Sequence, residues 1–467
     1  MNADAPRRLQ PEDLWSLRFV GDPQVSPDGS QVAFVVTGMD KENDGYISSV
    51  WLAETDDPTS ARPLTNPPGD SLVRETMPRW SPDGAKLAFA SNREGPNHLW
   101  IIDPSGGEAK KISDHTGNYA GLGWSPTGDA LTFTASPPSE GKDEPGPSVY
   151  VTNRLRYKFN GRGLMTDSRR NAIWSMDVDS GDARRLTEAW WDDANPVYSP
   201  DAEYIYFVSD RYPEEDMYYV TDLYRVPVAG GDAEKVTDGE GPVASPVFSP
   251  DGQTVAFVGH AQGDDTTANM QLMYMSADGG SRQSLTAGMD RSVGCSVGSD
   301  ARFDGGSGEP RWIADGKELL FNLTDGGQCH LYRVSQDSSP RPLSGFPPVI
   351  TSFSAGPGEA PTIAAVAADW NTPGDLWVMD ESGEVKQFTD LNGELLDSVS
   401  LSRPRPVTYS GAEDWPMEGW IMEPVEREPG RKYPLVLEIH GGPASTSGDC
   451  FFFEYQLLAA SGWGVMY

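Results

Sequence analysis

Residues 25–35 read VSPDGSQVAFV, and this pattern returns six more times along the chain. Pro-Asp-Gly predicts a tight turn, because proline presets φ and glycine accepts a positive φ. The apolar residues that follow are typical of a strand. The clear copies are WSPDGAKLAFA (80–90), WSPTGDALTFT (124–134), YSPDAEYIYFV (198–208) and FSPDGQTVAFV (248–258), and the weaker ones are WIADGKELLFN (312–322) and FSAGPGEAPTIAAV (353–366).

Each copy is followed by a second strand and a hairpin, as in DLYRVPVAGGDAEKVT (222–237). Successive copies begin 41 to 74 residues apart, which suits four-stranded sheets with loops of different lengths. Radial closure of such sheets buries each one against its neighbours. We therefore predict an all-β seven-bladed β-propeller over residues 25–390, preceded by an N-terminal helical segment over residues 1–24.

The charge of the chain limits its partners. Among 467 residues, 70 are acidic and 36 are basic, so the formal charge is −34. Such an excess of acid argues against a nucleic-acid partner, because few cations are present to neutralise phosphates. It favours a halophilic protein whose self-repulsion is screened by concentrated salt. An ordinary acidic protein remains the alternative.

Cysteines and apolar runs indicate the compartment. Cys295, Cys329 and Cys450 are too widely spaced for a disulfide framework or a metal knuckle, and no cofactor motif is present. The N-terminus lacks the apolar run of a signal peptide. No stretch approaches the roughly 18 apolar residues of a membrane span. We expect a cytoplasmic protein with no metal, no cofactor and no membrane partner.

Residues 136–170 form a predicted insertion in the third blade. They concentrate basic residues in an otherwise acidic chain. Because arginine binds carboxylates and carbonyls, Arg154 and Arg156 are weak candidates for substrate binding. A solvated loop whose cations pair with nearby acids remains the alternative.

A catalytic serine is hard to place in this sequence. GCSVG (294–298) matches the G-x-S-x-G elbow of serine hydrolases, but loop-like residues flank it where a strand and a helix are required. Of the five histidines, His440 comes last in the chain. In the order typical of α/β-hydrolases, the catalytic histidine follows both the oxyanion loop and the nucleophile along the chain. No histidine follows His440, so no triad can be assembled in that order. We predict that Ser296 is not a nucleophile.

The C-terminal stretch YPLVLEIHGGP (433–443) reads as a buried strand followed by a His-Gly-Gly turn, which is typical of an oxyanion hole. Together with the SPDG repeats, the opening LQPEDLWSLRFVGDPQVSPDG (9–29) and FFFEYQLLAASGWGVMY (451–467), it resembles the prolyl oligopeptidase family of serine peptidases. The branch that it resembles contains acylaminoacyl-peptidases and dipeptidyl aminopeptidases.

The resemblance implies a propeller joined to an α/β-hydrolase domain that cleaves short peptides. It implies that Gly442 and Gly441 form the oxyanion hole and that His440 and Pro443 shape the loop. Residues 391–467 are then an incomplete α/β-hydrolase domain, cut before the catalytic serine, and the chain is inactive alone. The remaining alternatives are a non-catalytic peptide-binding propeller with a vestigial hydrolase segment, and a second chain that supplies the missing half.

Overall fold

A computed structural model describes residues 6–67, 72–114, 117–136, 151–152, 155–159, 163–164, 170–188, 190–212, 217, 220–303, 308–442 and 445–467. The chain divides into two compact units. Unit 1 contains Met1–Pro78, Arg291–Ala314 and Glu318–Tyr467, and unit 2 contains Arg79–Asp290 and Asp315–Lys317. The predicted boundaries after residues 24 and 390 do not coincide with this division, because both ends of the chain belong to unit 1.

Unit 1 begins with less helix than predicted. Residues 1–24 were expected to be helical, but the described part holds only the 3-10 helix Pro11–Ser16. Strand Arg7–Arg8 pairs in parallel with Val399–Ser400, and the first repeat already begins at Phe19. The flanking strands, of which one pairs with the distant Val399–Ser400 and one with the next strand of its own sheet, limit this helix to six residues.

The repeats of unit 1 form two sheets. The first sheet contains Phe19–Val25, Gln31–Asp40, Gly45–Glu54 and Arg62–Pro63. The second has eight strands, joined midway by the parallel pair Cys329 and Val349. Its strands are Arg311–Ile313, Glu318–Asp325, Gln328–Val334, Arg341–Pro342, Val349–Ala355, Ile363–Asp369, Thr372–Met379 and Val385–Gln387.

Four more four-stranded sheets lie between these two in the sequence. The strands are Glu75–Trp80, Leu87–Ser91, His98–Ile102 and Lys110–Lys111; Ala120–Trp124, Ala130–Ala135, Ala172–Asp177 and Ala183–Arg185; Ala194–Tyr198, Tyr204–Ser209, Asp222–Pro227 and Glu234–Lys235; and Val243–Phe248, Thr254–Gly259, Gln271–Ser276 and Gln283–Ser284. A short hairpin, Lys158–Phe159 with Gly163–Leu164, and the 3-10 helix Ala287–Met289 complete this part. The count of seven blades stays a prediction.

Side-chain hydroxyl groups make the same kinds of hydrogen bond in successive repeats, which explains why serine and threonine recur there. In the first turn the Ser26 hydroxyl donates to the Asp28 carboxylate at 2.6 Å, which lowers the pKa of Asp28. The serine or threonine that ends a repeat accepts a backbone N–H from the third strand, as Thr65 does from Val50 at 2.9 Å. Equivalent bonds are made by Ser113, Thr187, Thr237, Thr286 and Thr389.

One phenylalanine in the second strand of six repeats is fully buried: Phe34, Phe89, Phe133, Phe207, Phe257 and Phe321. In the first sheet Phe34 lies opposite Trp51. In the last repeat Ala365 lies opposite Trp377, so Ala365 occupies the position that Phe34 has in the first sheet. The last copy is therefore weak in sequence because alanine replaces the buried phenylalanine.

The first and last repeats pack against each other inside unit 1. Val20 and Phe34 share one apolar cluster with Val366, Leu376 and Phe388. In unit 2 consecutive sheets pack in the same way, so each sheet covers its neighbour's apolar face. Mutual burial of whole sheets is the arrangement that a propeller requires.

A separate sheet, here called the C-terminal sheet, follows the repeats. Its strands lie in the order Arg405–Ser410, Pro416–Met422, Gly464–Met466 and Leu435–Leu437, with the last two parallel. Helices Gly393–Ser398, Ala412–Asp414 (3-10) and Phe453–Ala460 accompany it. Gly464–Met466 is therefore an inner strand, and Leu435–Leu437 lies at one edge of the sheet.

Core contacts join this C-terminal region to the start of the chain. Phe451 and Phe453 share one buried cluster with Leu9, Leu17 and Phe19, all in unit 1. The helix Phe453–Ala460, here called the C-terminal helix, also packs through Ala459 on the C-terminal sheet. The region after residue 390 is therefore part of a common core.

Asp375 is expected to make the stability of unit 1 depend on pH. The carboxylate is buried, accepts the Thr389 hydroxyl at 2.7 Å, and burial raises its pKa to about 6. A raised folded-state pKa stabilises the fold below the unfolded pKa of about 3.9, and this contribution is lost as the pH rises through 6. Urea unfolding should show the wild type losing about 2 kcal/mol relative to Asp375→Asn between pH 4 and pH 7.

Asp380→Asn in the same sheet is the control for this experiment. The Ser382 hydroxyl lowers the pKa of the exposed Asp380, so its contribution has the opposite sign. A pH dependence that Asp375→Asn leaves unchanged would contradict the assignment.

Candidate active site

The His-Gly-Gly turn lies where the sequence predicted it, directly after the edge strand Leu435–Leu437. His440, Gly441 and Gly442 are exposed, and His440 Nδ1 lies 2.9 Å from the Gly441 carbonyl oxygen. Gly442 has φ +140°, a conformation that side chains rarely adopt, so glycine is required there. Pro443 lies outside the described residues. The backbone of this turn is thus available to a ligand.

A cavity of about 330 Å³ opens beside the turn. Three segments of unit 1 enclose it: the loop near Ser299, the turn itself, and the start of the C-terminal helix. The residues lining it are Gly298, Ser299, Glu438, Ile439, His440, Gly441, Ser445, Thr446, Ser447, Gly448, Cys450, Phe452, Glu454, Tyr455 and Tyr467. The cavity is large enough for one or two amino-acid residues.

Aromatic rings form one wall of the cavity. The Phe452 and Tyr455 rings stack at 3.9 Å, and the Tyr455 and Tyr467 rings lie 4.7 Å apart. Burial raises the pKa of Tyr455 to about 12 and raises that of Tyr467 as well. Both phenols therefore keep their protons at neutral pH and can donate hydrogen bonds.

The opposite wall is held by a loop from a distant part of the sequence. The Ser296 and Thr446 hydroxyls lie 2.8 Å apart, and Gly298 N–H donates to the Thr446 carbonyl at 2.9 Å. The Ser299 hydroxyl donates to the Phe451 carbonyl at 2.7 Å. We call residues 296–300 the clamp loop, because it fixes the segment between the His-Gly-Gly turn and the C-terminal helix.

Ser296 therefore has a structural contact. Its hydroxyl bonds to a threonine hydroxyl, and its backbone N–H donates to Thr324 Oγ1 at 2.9 Å. GCSVG thus belongs to an irregular loop, without the strand and helix that an elbow needs. That Ser296 is not a nucleophile stays a prediction.

Asp300 ends the clamp loop at the start of the C-terminal helix. Its carboxylate accepts the backbone N–H groups of Phe453 at 2.7 Å and Glu454 at 2.8 Å. Burial raises the pKa of Asp300, while these two bonds favour the ionised form. Sequence reasoning missed this helix cap, because the capping residue lies about 150 positions before the helix.

The basic insertion belongs to unit 2, whereas the cavity belongs to unit 1. Arg156 lies 4.0 Å from the Asp210 carboxylate, and Arg170 lies 3.5 Å from that of Asp192. Arg154 lies outside the described residues. Pairing with acids is the alternative that the sequence left open, and substrate binding by Arg156 stays a prediction.

Among the described residues, no group of three or more His, Cys, Asp or Glu side chains is placed to hold a metal ion. In the same part of the chain, no helix has the length and apolar character needed to cross a bilayer.

Comparisons with known proteins agree with the propeller and with the peptidase resemblance. The TolB beta propeller domain family matches residues 17–143 and 158–297. The uncharacterized peptidase YuxL of Bacillus subtilis is 34% identical over 464 residues, which cover 98% of this chain and 70% of that relative. The propeller predicted from the repeats is confirmed.

Solved structures show a similar fold. An acylaminoacyl peptidase of Pyrococcus horikoshii superposes with a TM-score of 0.75 at 20% identity, over 97% of this chain and 65% of that protein. A puromycin-hydrolyzing peptidase of Mycobacterium tuberculosis gives a TM-score of 0.71 at 17% identity, over 99% of this chain and 67% of that protein. The chain thus spans about two thirds of these peptidases.

Proposed function

We propose a function from one premise: this chain belongs to the family of peptidases that carry a TolB beta propeller domain. The 467 residues are the propeller and the first part of the hydrolase domain of a serine peptidase. The enzyme is of the acylaminoacyl-peptidase or oligopeptidase type and cleaves short peptides. The His440-Gly441-Gly442 turn beside the 330 Å³ cavity is the observation that carries this proposal.

The turn stabilises negative charge on the substrate. When a serine attacks the scissile carbonyl, its oxygen becomes an oxyanion, and backbone N–H donors fixed in advance stabilise that charge. The positive φ of Gly442 supports this role, because it holds the turn in a conformation that residues with side chains rarely adopt. The aromatic wall holds an apolar residue of the peptide beside it.

The nucleophile, its acid and its base lie outside these 467 residues in this proposal. The Ser296 hydroxyl bonds to Thr446, and residues 441–467 contain no histidine. An oxyanion hole alone gives little catalysis without an activated nucleophile. The chain by itself is therefore expected to be inactive.

Exposure of the edge strand supports a hydrolase sheet that continues. Leu435, Leu437 and Ile439 are 57%, 60% and 82% exposed, although a parallel strand of this composition is normally covered on both faces. An uncovered apolar edge strand pairs readily with a further strand. This favours an incomplete catalytic domain over a vestigial segment, and it is compatible with a second chain that carries the missing half.

Hydrolysis of acylated and free aminoacyl chromogenic substrates tests the proposal. We expect no turnover by the 467-residue chain, and turnover by a polypeptide extended through the reading frame that follows Tyr467. In that extended enzyme, Gly442→Ala should lower kcat about 100-fold, because alanine rarely adopts the positive φ at this position and its N–H donor would be displaced from the oxyanion. Gly430→Ala is the matched control, because Gly430 also has a positive φ of +81°, lies outside the turn, and an added Cβ there meets nothing within 4 Å.

Two results would contradict the proposal. Turnover by the 467-residue chain that disappears in Ser296→Ala would make Ser296 the nucleophile. Peptide binding without hydrolysis by the extended polypeptide would favour the non-catalytic propeller.

A further inference from the structure

Three cysteines that are far apart in the sequence meet in unit 1. Cys295, Cys329 and Cys450 share one apolar cluster with Val349 and Ala368, and all three are free thiols. Cys329 and Cys450 are buried, whereas Cys295 is half-buried. Sequence reasoning did not foresee this convergence, because the spacing of the cysteines gives no sign of it.

Backbone contacts place Cys295 beside Cys329. Gly294 N–H donates to the Asn322 carbonyl at 2.9 Å, and Thr324 Oγ1 donates to the Gly294 carbonyl at 2.9 Å. Thr324 lies directly opposite Cys329 on the neighbouring strand. Cys329 Sγ lies 3.9 Å from the carbonyl oxygen of Gly294, the residue directly before Cys295, and both cysteines belong to one apolar cluster.

The electrostatic surroundings distinguish the three thiols. The neighbouring Cys329 thiol and Arg302, whose Nη1 lies 3.7 Å from Cys295 Sγ, lower the pKa of Cys295 to about 7. Burial raises the pKa of Cys329 and raises that of Cys450 to about 12. At neutral pH, Cys295 is thus the thiol with a substantial thiolate fraction.

We propose that Cys295 and Cys329 form an oxidation site, in which peroxide converts the two thiols to a disulfide. The Cys295 thiolate attacks one oxygen of hydrogen peroxide, the O–O bond breaks, and Cys295 sulfenic acid and hydroxide form. The Cys329 sulfur then attacks the Cys295 sulfur, the S–O bond breaks, and water leaves with the thiol proton. Peroxide takes up the two electrons that the thiols lose.

The disulfide would tie the residue before the clamp loop to strand Gln328–Val334. Because the clamp loop forms one wall of the cavity, oxidation would restrict the movement of that wall. This inference does not depend on the proposed peptidase activity, and the chain can be tested as it stands.

Peroxide treatment followed by mass spectrometry tests the inference. Trypsin separates the three cysteines into peptides 292–302, 318–333 and 433–467. After stoichiometric hydrogen peroxide at pH 7.5 and alkylation of the remaining thiols, we expect the first two peptides to be linked and Cys450 to be alkylated. In Cys329→Ser, dimedone should trap a sulfenic acid on Cys295.

Alkylation rates give a second readout that needs no variant. The thiolate fraction of Cys295 exceeds that of Cys450 by about four orders of magnitude at pH 7.5, but nucleophilicity falls with pKa, so about 100-fold faster alkylation of Cys295 is expected. Arg302→Gln should slow Cys295 more than Cys450, because Arg302 contacts the Cys295 sulfur directly and acts on Cys450 only through its charge, with an unchanged melting temperature as control. Equal rates for both thiols, or a disulfide that includes Cys450, would overturn the proposal.

Discussion

Replacing Phe451 by alanine is expected to lower the free energy of unfolding by about 3–5 kcal/mol, the usual cost of emptying a buried phenylalanine site. Phe451 is fully buried and shares its cluster with residues from both ends of the chain. The cavity left by the ring is enclosed by Leu17, Phe19 and Phe453, so it can collapse only partly. Urea unfolding followed by tryptophan fluorescence measures this loss.

Ile439→Ala is the matched control for Phe451→Ala. The Ile439 side chain is 82% exposed, so its removal should change stability by no more than about 0.5 kcal/mol. Equal losses in the two variants would mean that the cluster around Phe451 does not stabilise unit 1.

Gly327→Ala is expected to destabilise unit 1 by about 3 kcal/mol, from backbone strain and overpacking together. Gly326 and Gly327 form the turn between strands Glu318–Asp325 and Gln328–Val334, with φ of +57° and +73°. A Cβ on Gly327 would lie 2.4 Å from the Trp420 ring and 3.0 Å from the Gly448 Cα. Glycine is therefore needed where this hairpin meets the C-terminal sheet.

Gly326→Ala separates strain from overlap. Gly326 has the same left-handed conformation, but an added Cβ meets nothing within 4 Å. We expect a loss of about 1 kcal/mol, from backbone strain alone. If both variants lose the same amount in urea unfolding, close contact with Trp420 is not the reason for glycine at position 327.

The repeated sheets could be predicted from the sequence because their signals are local. Pro-Asp-Gly turns and apolar strands recur within each unit, and their hydrogen bonds, such as Ser26 to Asp28, also close within a few residues. The His-Gly-Gly turn was likewise predicted, since a strand and its turn are adjacent in the chain. Gly442 has a positive φ, which favours glycine at that position.

The rest depends on contacts that no local pattern records. Asp300 caps a helix that begins at Phe453, and Cys295 packs in the same apolar cluster as Cys329. The run Leu435–Ile439 reads as buried, yet Leu435, Leu437 and Ile439 are exposed, because burial depends on what covers a strand. The predicted N-terminal helical segment contains the 3-10 helix Pro11–Ser16, and Arg7–Arg8 before it pairs with the distant strand Val399–Ser400.

Unit 1 cannot complete its folding until late in synthesis on the ribosome, because it contains residues from both ends of the chain. Arg18 N–H bonds to the Asn392 side chain, which lies 374 residues later. At roughly 5–20 residues per second, that partner emerges about 20–75 s after Arg18. Residues 79–290 are contiguous and can fold as unit 2 in the meantime. During that interval the last repeat cannot yet cover the apolar face of the first sheet. The nascent chain therefore needs protection from aggregation, such as a chaperone bound near its N-terminus.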